Sequence, residues 1–212
     1  MNYLAHIYLS GDSHNLMIGN FIGEFIKRKD PEFYIEELRD GISLHHAIDE
    51  FAHNHPVYKR SQSRINSKFF KYSEKIIDVF YDHFLASLWS NYSNSSLEQF
   101  AADSYKILGS NKSILPYKAR LILPSLTRSN WLYTISSVAG IHKVCFELDK
   151  RSSSKTFILG ALEDLIDNYN EFKEDFKEFF PDLIEFVNNE IITKSYNTSL
   201  VGKEELELVK TF

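Results

Sequence analysis

Apolar residues recur every three to four positions along most of this chain, which is the spacing of an amphipathic helix. One such run has its apolar positions at Ile76, Ile77, Phe80, Phe84, Leu85 and Leu88. Helix-breaking residues are scarce, with 8 glycines and 5 prolines in 212 residues, which favours helices over a turn-rich β fold. The pattern therefore predicts an all-α fold, a single-domain bundle of about eight to ten helices.

Capping residues and prolines predict where these helices begin and end. Asp12 or Ser13 can cap the second helix, and Ser95 or Ser96 can cap a later one. Pro31 can open the third helix, Pro56 can end it, and Pro124 is expected to interrupt another. The predicted segments are 4–8, 13–26, 31–54, 57–70, 73–88, 96–108, 113–123, 131–136, 141–148, 155–179 and 181–189. We take residues 1–194 as one domain and expect a polar tail at 195–212.

The composition is that of an ordinary soluble globular protein, with 43% hydrophobic and 25% charged residues. The single cysteine, Cys145, allows no disulfide within the chain, which fits a reducing compartment. The first residues lack the basic region and cleavage site of a signal peptide, and no apolar run reaches about 18 residues. We therefore expect a cytoplasmic protein that does not span a membrane.

Charge is spread unevenly along the chain. The formal net charge of −5 argues against general binding to nucleic acids. Residues 59–75 depart from this average, because only Glu74 opposes their basic side chains. The basic residues are Lys59, Arg60, Arg64, Lys68, Lys71 and Lys75. This basic segment could dock an acidic partner or simply form a solvated helix face.

Polar residues spaced four apart interrupt otherwise apolar helices at three places. Positions i and i+4 share one face of a helix. The pairs are His45 with Asp49, Asp78 with Asp82, and Asn20 with Glu24, and His83 directly follows Asp82. Charged groups among the aromatic residues around Asp82 need a partner if they are buried. His, Asp and Glu side chains that converge between helices are common ligands of Mn²⁺, Mg²⁺, Fe²⁺ and Zn²⁺, so these residues are candidates for a metal site.

Simpler interpretations exist for each of these residues taken alone. His6 could be a hydrogen-bonded core histidine, and Asp78 could stabilise a helix N-terminus. The pair of His45 and Asp49 could lie on the surface. Other enzyme classes have less support, because the chain lacks a glycine-rich phosphate loop in the required strand context, a G-x-S-x-G elbow and an H-E-x-x-H motif.

The remaining histidines are expected to carry no chemistry. His46, Glu50 and His53 form a second stripe on the helix of His45, and we expect this stripe to face solvent. We interpret His14 and His142 as surface or packing residues.

Five blocks of sequence carry a family resemblance when they are taken together. They are M-N-Y-L-A-H-I-Y-L at 1–9, I-G-N-F-I-G-E-F at 18–25, G-I-S-L-H-H-A-I-D-E-F at 41–51, H-P at 55–56 and Y-D-H-F-L-A-S-L-W at 81–89. In this order they resemble the acyl carrier protein phosphodiesterases, a divergent branch of the all-helical HD phosphohydrolases. The resemblance extends through Asn130-Trp131-Leu132 to the region around Gly140 and covers most of the chain. It implies an HD-domain-like fold.

The resemblance also implies a metal-dependent hydrolase. Its substrate would be the phosphodiester that links 4′-phosphopantetheine to a serine of holo-acyl carrier protein, and its products would be apo-acyl carrier protein and 4′-phosphopantetheine. The implied metal is Mn²⁺, with Mg²⁺ or Fe²⁺ as alternatives. Matched positions give the metal ligands as His45, Asp49, Asp82, His83 and Glu24, and the catalytic residues as His6, Asn20, Glu24 and Asp78. The family usually has Asp at the position of Glu24 and often Arg at that of His46.

Under this hydrolase hypothesis, Glu24 or Asp78 would position the attacking water and His6 would protonate the leaving serine oxygen. The basic segment would then receive the acidic carrier protein near the site. Two other functions fit the same residues. The chain could be a non-catalytic helical module that binds carrier protein or phosphopantetheine, or its metal site could act on a nucleotide or another small phosphoester.

Overall fold

The computed structural model describes residues 1–27, 34–65, 67–151 and 158–208, and every regular element in these ranges is helical. The α-helices are α1 (Tyr3–Tyr8), α2 (His14–Gly23), α3 (Glu36–Asn54), α4 (Pro56–Gln62), α5 (Ser73–Ser87), α6 (Leu97–Ser110), α7 (Tyr117–Arg128), α8 (Trp131–Thr134), α9 (Val138–Arg151), α10 (Leu162–Asp167) and α11 (Tyr169–Leu208). Short 3₁₀ turns lie at Ser67–Tyr72, Trp89–Asn91, Lys112–Ile114 and Leu159–Ala161. The predicted all-α fold is confirmed.

Several helices begin where their capping residues predict. The hydroxyl of Ser13 accepts the amide of Leu16 at the start of α2, and the hydroxyl of Ser96 accepts the amide of Gln99 at the start of α6. His55 has an extended conformation between α3 and α4, because Pro56 follows it.

Two prolines lie inside helices instead of at their ends. Pro124 is within α7 and Pro181 is within α11. Both are exposed, so the helix can bend locally where the proline removes a hydrogen bond. The interruption predicted at Pro124 is therefore wrong, and so is the new helix predicted at Pro181. Helix α11 runs through residues 181–189 and on to Leu208, into the segment predicted as a tail.

Other predicted helix limits differ from the structure or fall outside the described residues. The predicted helix 57–70 ends at Gln62, and a 3₁₀ turn follows further along the chain. Helix α3 begins at Glu36, whereas its predicted start at Pro31 lies outside the described residues. The predicted helix 155–179 is divided at Asn168, whose side-chain amide donates to the carbonyl of Asp164 and competes with the helical hydrogen bonds.

Helices α2 and α3 approach each other closely because two glycines face each other between them. A Cβ atom built on Gly19 would lie 2.4 Å from the carbonyl oxygen of Leu38, and one built on Gly41 would lie 2.7 Å from the Cα of Gly19. Any side chain at these positions would push the two backbones apart. This contact brings the last two turns of α2 against the middle of α3, where the candidate site lies.

A buried carboxylate joins α4 to α11. Asp175 is 2% exposed, and its oxygens accept hydrogen bonds from Arg60 at 2.7 Å, from Ser61 at 2.7 Å and from Arg64. A buried carboxylate with this many charged donors is well compensated. Arg60 and Arg64 of the basic segment are therefore engaged in this contact, although 45% of the Arg60 side chain stays exposed.

The aromatic residues of α11 fill the centre of the bundle. Phe172, Phe176, Phe179 and Phe180 are fully buried, and Phe176 and Phe179 contact the ring of Tyr81 on α5. None of the described helices combines the length and the apolar composition needed to cross a bilayer.

Candidate metal centre

Three side chains converge where α1 meets α3. His6 on α1, together with His45 and Asp49 on α3, places one donor atom each within 4.8 Å of the others. The Nε2 atom of His6 is 3.2 Å from Oδ1 of Asp49, and the Nε2 atom of His45 is 3.4 Å from Oδ2. The two imidazole rings stack with their centroids 4.0 Å apart. We call these three residues the metal cluster.

Asn20 on α2 orients both imidazole rings. Its side-chain NH₂ donates to the carbonyl of His6 at 2.8 Å and to the hydroxyl of Ser10 at 3.1 Å, so its Oδ1 is the acceptor for Nδ1–H of His6 at 2.8 Å. Its backbone carbonyl accepts Nδ1–H of His45 at 2.9 Å. Both Nδ1 atoms are therefore donors, and the two Nε2 atoms lie on the side of Asp49, where Nε2 of His6 is also 3.1 Å from the carbonyl oxygen of Met1. Metal-binding histidines typically have their tautomer fixed in this way, by a hydrogen bond from the ring nitrogen that does not bind the metal.

The electrostatics of His45 favour a bound cation. Burial, reinforced by the neighbouring His6, lowers the pKa of His45 to about 2, so its ring is neutral at neutral pH. Its proton is on Nδ1, and Nε2 therefore carries a lone pair. That lone pair faces Asp49 at 3.4 Å and Glu24 at 3.9 Å. A lone pair directed at two carboxylates is repulsive unless a cation lies between them.

The donor set also fits a divalent ion in composition and spacing. Ligand atoms held about 2.0–2.2 Å from one ion lie about 3 to 3.5 Å from each other. The distances of 3.2 and 3.4 Å from the two imidazoles to Asp49 agree with this spacing. Two imidazoles and a carboxylate suit a transition metal better than Mg²⁺, which prefers oxygen ligands. The residues that could hold the ion are thus His6, His45 and Asp49.

Glu24 lies at the edge of the metal cluster, directly after the last residue of α2. Desolvation raises the pKa of its carboxyl group, and the nearby His6 offsets part of this rise. About half of its side chain, 49%, is exposed. Gly23, the residue before it, leaves room for the ring of His45, because a Cβ at Gly23 would lie 2.5 Å from Cβ of His45. Glu24 is therefore placed to contact a solvent molecule as well as the cluster.

Asp78 lies beside the metal cluster, and the N-terminal ammonium group of Met1 pairs with both Asp78 and Asp49. The amino group of Met1 is 2.9 Å from Oδ1 of Asp49 and 2.9 Å from Oδ1 of Asp78. Burial lowers the pKa of this amine, but the two carboxylates outweigh the effect and raise it to about 11. The hydroxyl of Tyr58 donates to Asp78 at 2.8 Å. Burial raises the pKa of Asp78, yet the Met1 ammonium and His53 bring it below its ordinary value.

A cleft of about 240 Å³ opens next to the metal cluster. Its lining comprises Met1, Asn2, Tyr3, Glu24, Asp49, His53, Glu74, Lys75, Asp78, Val79, Leu148 and Ile158. Four carboxylates in this lining would repel an anionic substrate. A larger groove of about 560 Å³ between α3 and α11 contains no residue of the metal cluster, so we place the candidate site in the smaller cleft.

Asp82 and His83 do not reach the metal cluster, and we remove them from the candidate ligands. Asp82 is fully buried, and its two oxygens accept the amides of Leu4 at 2.8 Å and Ala5 at 3.1 Å. Asp82 thus satisfies the N-terminal amides of α1. His83 points elsewhere, because the next residue on a helix is rotated by about 100°. Its nitrogens are paired with the carbonyl of Ile135 at 2.7 Å and the hydroxyl of Tyr169 at 2.9 Å.

The expectation that the second stripe of α3 faces solvent is wrong for His53. It lines the cleft, with 30% of its side chain exposed, and faces Asp78 and Glu74. The sequence contained a signal for this position, because His45, Asp49 and His53 follow one another at steps of four. Glu50 on the same stripe is exposed and lines the larger groove. His14 and His142 are exposed, as the surface interpretation predicts.

Comparisons with known proteins point to one family. A family profile described as acyl carrier protein phosphodiesterase matches residues 1–183. A protein of that name from Photorhabdus laumondii is 24% identical over 190 residues, which cover 89% of this chain and 96% of the relative. Namesakes from Pectobacterium atrosepticum and Serratia proteamaculans are 22% and 23% identical, covering 90% and 87% of this chain and 99% and 96% of their own lengths. No solved structure matches the chain.

Proposed function

The chain belongs to the acyl carrier protein phosphodiesterase family, and we propose that it hydrolyses the phosphodiester between 4′-phosphopantetheine and a serine of holo-acyl carrier protein in a metal-dependent reaction. The products are apo-acyl carrier protein and 4′-phosphopantetheine. The names of the relatives support the substrate. The cleft beside the metal cluster supports a chemical site.

The observation that carries the metal dependence is the environment of His45. Its neutral ring presents a lone pair to Asp49 at 3.4 Å and to Glu24 at 3.9 Å, an arrangement that a cation bound between these groups would stabilise. A phosphodiester is itself an anion, and Glu74 and Asp78 add further negative charge to the cleft. A divalent cation held by His6, His45 and Asp49 would offset this charge. We assign Mn²⁺ first, with Fe²⁺ or Mg²⁺ as alternatives.

The roles of the protein residues follow from their positions. A bound cation supplies Lewis-acid polarisation of the phosphoryl oxygens. Glu24, whose pKa is raised, holds the attacking water and takes its proton. His6 has Nδ1 on Asn20 and Nε2 against Asp49, so we assign it to the ligand set and no longer to proton donation. Asn20 acts by orienting His6 and His45.

Part of the basic segment remains available for an acidic carrier protein. Arg60 and Arg64 are committed to Asp175. The exposed side chains Lys59, Lys71 and Lys75 are free of that contact, and Lys75 lines the cleft. Opposite charges on the two proteins speed their encounter and orient the substrate. We expect Lys75→Glu to raise the KM for carrier protein more than it lowers kcat.

The experiment that tests the function is release of 4′-phosphopantetheine from purified holo-acyl carrier protein, followed by mass spectrometry with added Mn²⁺ and after chelation. We expect turnover with Mn²⁺ and none after chelation. His45→Gln should abolish the release, while His142→Gln, a change at an exposed residue of α9, should leave it intact. The hydrolase proposal fails if the protein with metal cleaves neither holo-acyl carrier protein nor simple phosphodiesters. Binding without turnover would indicate the non-catalytic module.

A further inference from the structure

His53 lies in the cleft next to the metal cluster, and none of the roles assigned above uses it. It is one helical turn after Asp49 on α3, so the two side chains share a face. About a third of the side chain, 30%, is exposed. Its ring contacts Tyr58 with centroids 5.4 Å apart. A partly exposed imidazole beside a candidate metal site is available to a substrate that enters the cleft.

The two ring nitrogens of His53 have different surroundings. Nε2 is buried, has no hydrogen-bond partner within the described residues, and is 3.9 Å from Oδ2 of Asp78. Nδ1 is 4.0 Å from Oε2 of Glu74, whose side chain is 61% exposed. Nδ1 is therefore on the open side of the ring. Asp78 is itself held by the hydroxyl of Tyr58, which fixes the carboxylate behind Nε2.

The charged groups around His53 favour its protonated form. Asp78 raises its pKa, burial opposes this rise, and Glu74 adds to it, while the Met1 ammonium acts against it. The net result is a pKa above the ordinary histidine value. A raised pKa increases the protonated fraction of the imidazole at a given pH, which suits it to act as an acid.

The proposed reaction needs an acid at this point. A serine alkoxide is a poor leaving group and requires a proton as its bond to phosphorus breaks. His6 cannot supply that proton while both of its nitrogens are engaged with Asn20 and Asp49. In the described lining of the cleft, His53 is the imidazole that remains.

We propose that His53 is a catalytic residue whose Nδ1–H protonates the leaving serine oxygen, an inference that rests on the proposed function. The water oxygen bonds to phosphorus and its proton passes to Glu24. The bond from phosphorus to the serine oxygen breaks, its electron pair stays on that oxygen, and the oxygen takes the proton of His53. Glu24 then releases the water proton to solvent, and neutral His53 regains a proton from solvent. Asp78 is the positioning residue for this imidazole.

The test compares two phosphodiesters that differ in their need for an acid. His53→Gln and the unmodified protein are assayed with Mn²⁺ on holo-acyl carrier protein and on bis(p-nitrophenyl) phosphate. We expect the variant to lose about 10²–10³-fold in kcat on holo-acyl carrier protein. Its rate on the nitrophenyl ester should change little, because nitrophenolate leaves without a proton. The retained activity on that ester also shows that the variant is folded.

A pH profile of the unmodified protein provides a second measurement that needs no variant. The acid must be protonated, so the rate on holo-acyl carrier protein should fall as the pH rises through the pKa of His53, above its ordinary value of 6.5. This alkaline decline should be absent for bis(p-nitrophenyl) phosphate. His142→Gln serves as the matched control and should behave like the unmodified protein on both substrates.

Four results would overturn the role of His53. Three concern the variant, which could lose activity equally on both esters, change in KM alone, or keep its full rate on holo-acyl carrier protein. The fourth is an alkaline decline that is the same for both substrates in the unmodified protein. If the unmodified protein does not cleave holo-acyl carrier protein at all, the proposed function fails and this inference with it. If it does cleave and the variant is equally active, only the role of His53 is lost.

Discussion

His45 with Asp49 on α3 and Asp82 with His83 on α5 are two histidine–aspartate pairs in the same aromatic-rich bundle, and their hydrogen bonds differ. Both oxygens of Asp82 and both nitrogens of His83 have neutral protein partners. By contrast, Nε2 of His45 has no donor and faces carboxylates. Burial is similar for His45, Asp82 and His83. Unfilled bonding capacity, and not burial, therefore distinguishes a candidate ligand from a structural polar group.

The largest expected difference between the pairs is in activity. Asp49→Ala should reduce turnover of holo-acyl carrier protein by about 10³-fold, because several kcal/mol of charge stabilisation depend on the cation. The metal-free variant should also lose stability at neutral pH, because Asp49 pairs with the Met1 amine and its pKa is lowered in the fold, although the Met1 amine keeps its contact with Asp78. Metal analysis and steady-state kinetics check this, with Asp103→Ala on the exposed side of α6 as control. Full metal content in Asp49→Ala would remove this residue from the cluster.

The opposite behaviour is expected for Asp82→Ala. Removing this carboxylate leaves the buried amides of Leu4 and Ala5 unpaired. The free energy of unfolding should fall by about 2–4 kcal/mol at neutral pH, as measured by urea denaturation. Metal content per folded molecule should stay unchanged. Normal stability combined with loss of metal would return Asp82 to the ligand set and end the contrast between the pairs.

The two aspartates should also respond to pH with opposite signs. Burial raises the pKa of Asp82 from 3.8 to about 6, although the amides of Leu4 and Ala5 offset part of this. Its contribution to stability is therefore full below pH 3.8 and is lost as the pH rises through about 6, an effect on the order of 3 kcal/mol. For Asp49 the pKa is lowered, so its contribution is present above pH 3.8 and is lost as the pH falls through the lowered value.

Denaturation of the metal-free protein at a series of pH values checks these signs. The destabilisation caused by Asp82→Ala should be greater below pH 3.8 than above pH 6. A destabilisation that increases with pH would mean that the pKa of Asp82 is lowered in the fold and would contradict its assigned environment.

The smallest expected effect tests whether metal affinity depends on the position of the His45 ring. Gly23→Ala would place a methyl group 2.5 Å from Cβ of His45 and shift the ring from its position against Asp49. We expect metal affinity to fall by about 10–100-fold. Gly109→Ala is the matched control, because a Cβ there meets nothing within 4 Å, and this change should stabilise α6 by about 0.5–1 kcal/mol. Unchanged affinity in Gly23→Ala would show that the ring can move without cost.

The sequence predicted the helices well where local signals decide them. Ser13, Ser96 and Pro56 mark helix ends in the structure as they do in the pattern. Pro124 and Pro181 do not, because their exposure depends on which face of each helix the bundle buries. That information lies in the tertiary packing and not in the local sequence.

For the candidate site, the helical period and the family resemblance identified His6, Asn20, Glu24, His45 and Asp49, which the structure brings together. Periodicity groups residues on one helix but does not say which other helix they face. Asp82 was therefore assigned to the wrong partner, since it faces the amides of α1. His53 was assigned to solvent because the proximity of Asp78 and Glu74 on α5 arises only in the folded chain.

Helix α1 has six residues, and helices shorter than about 12–15 residues are marginal on their own. Its order depends on Asp82, which accepts two of its amides, and on Asn20, which accepts the ring of His6. The metal cluster can therefore exist only after α5 and α2 have docked against the first residues of the chain. Protection of the amides of Leu4 and Ala5 from hydrogen exchange during folding would therefore report when the candidate site is assembled.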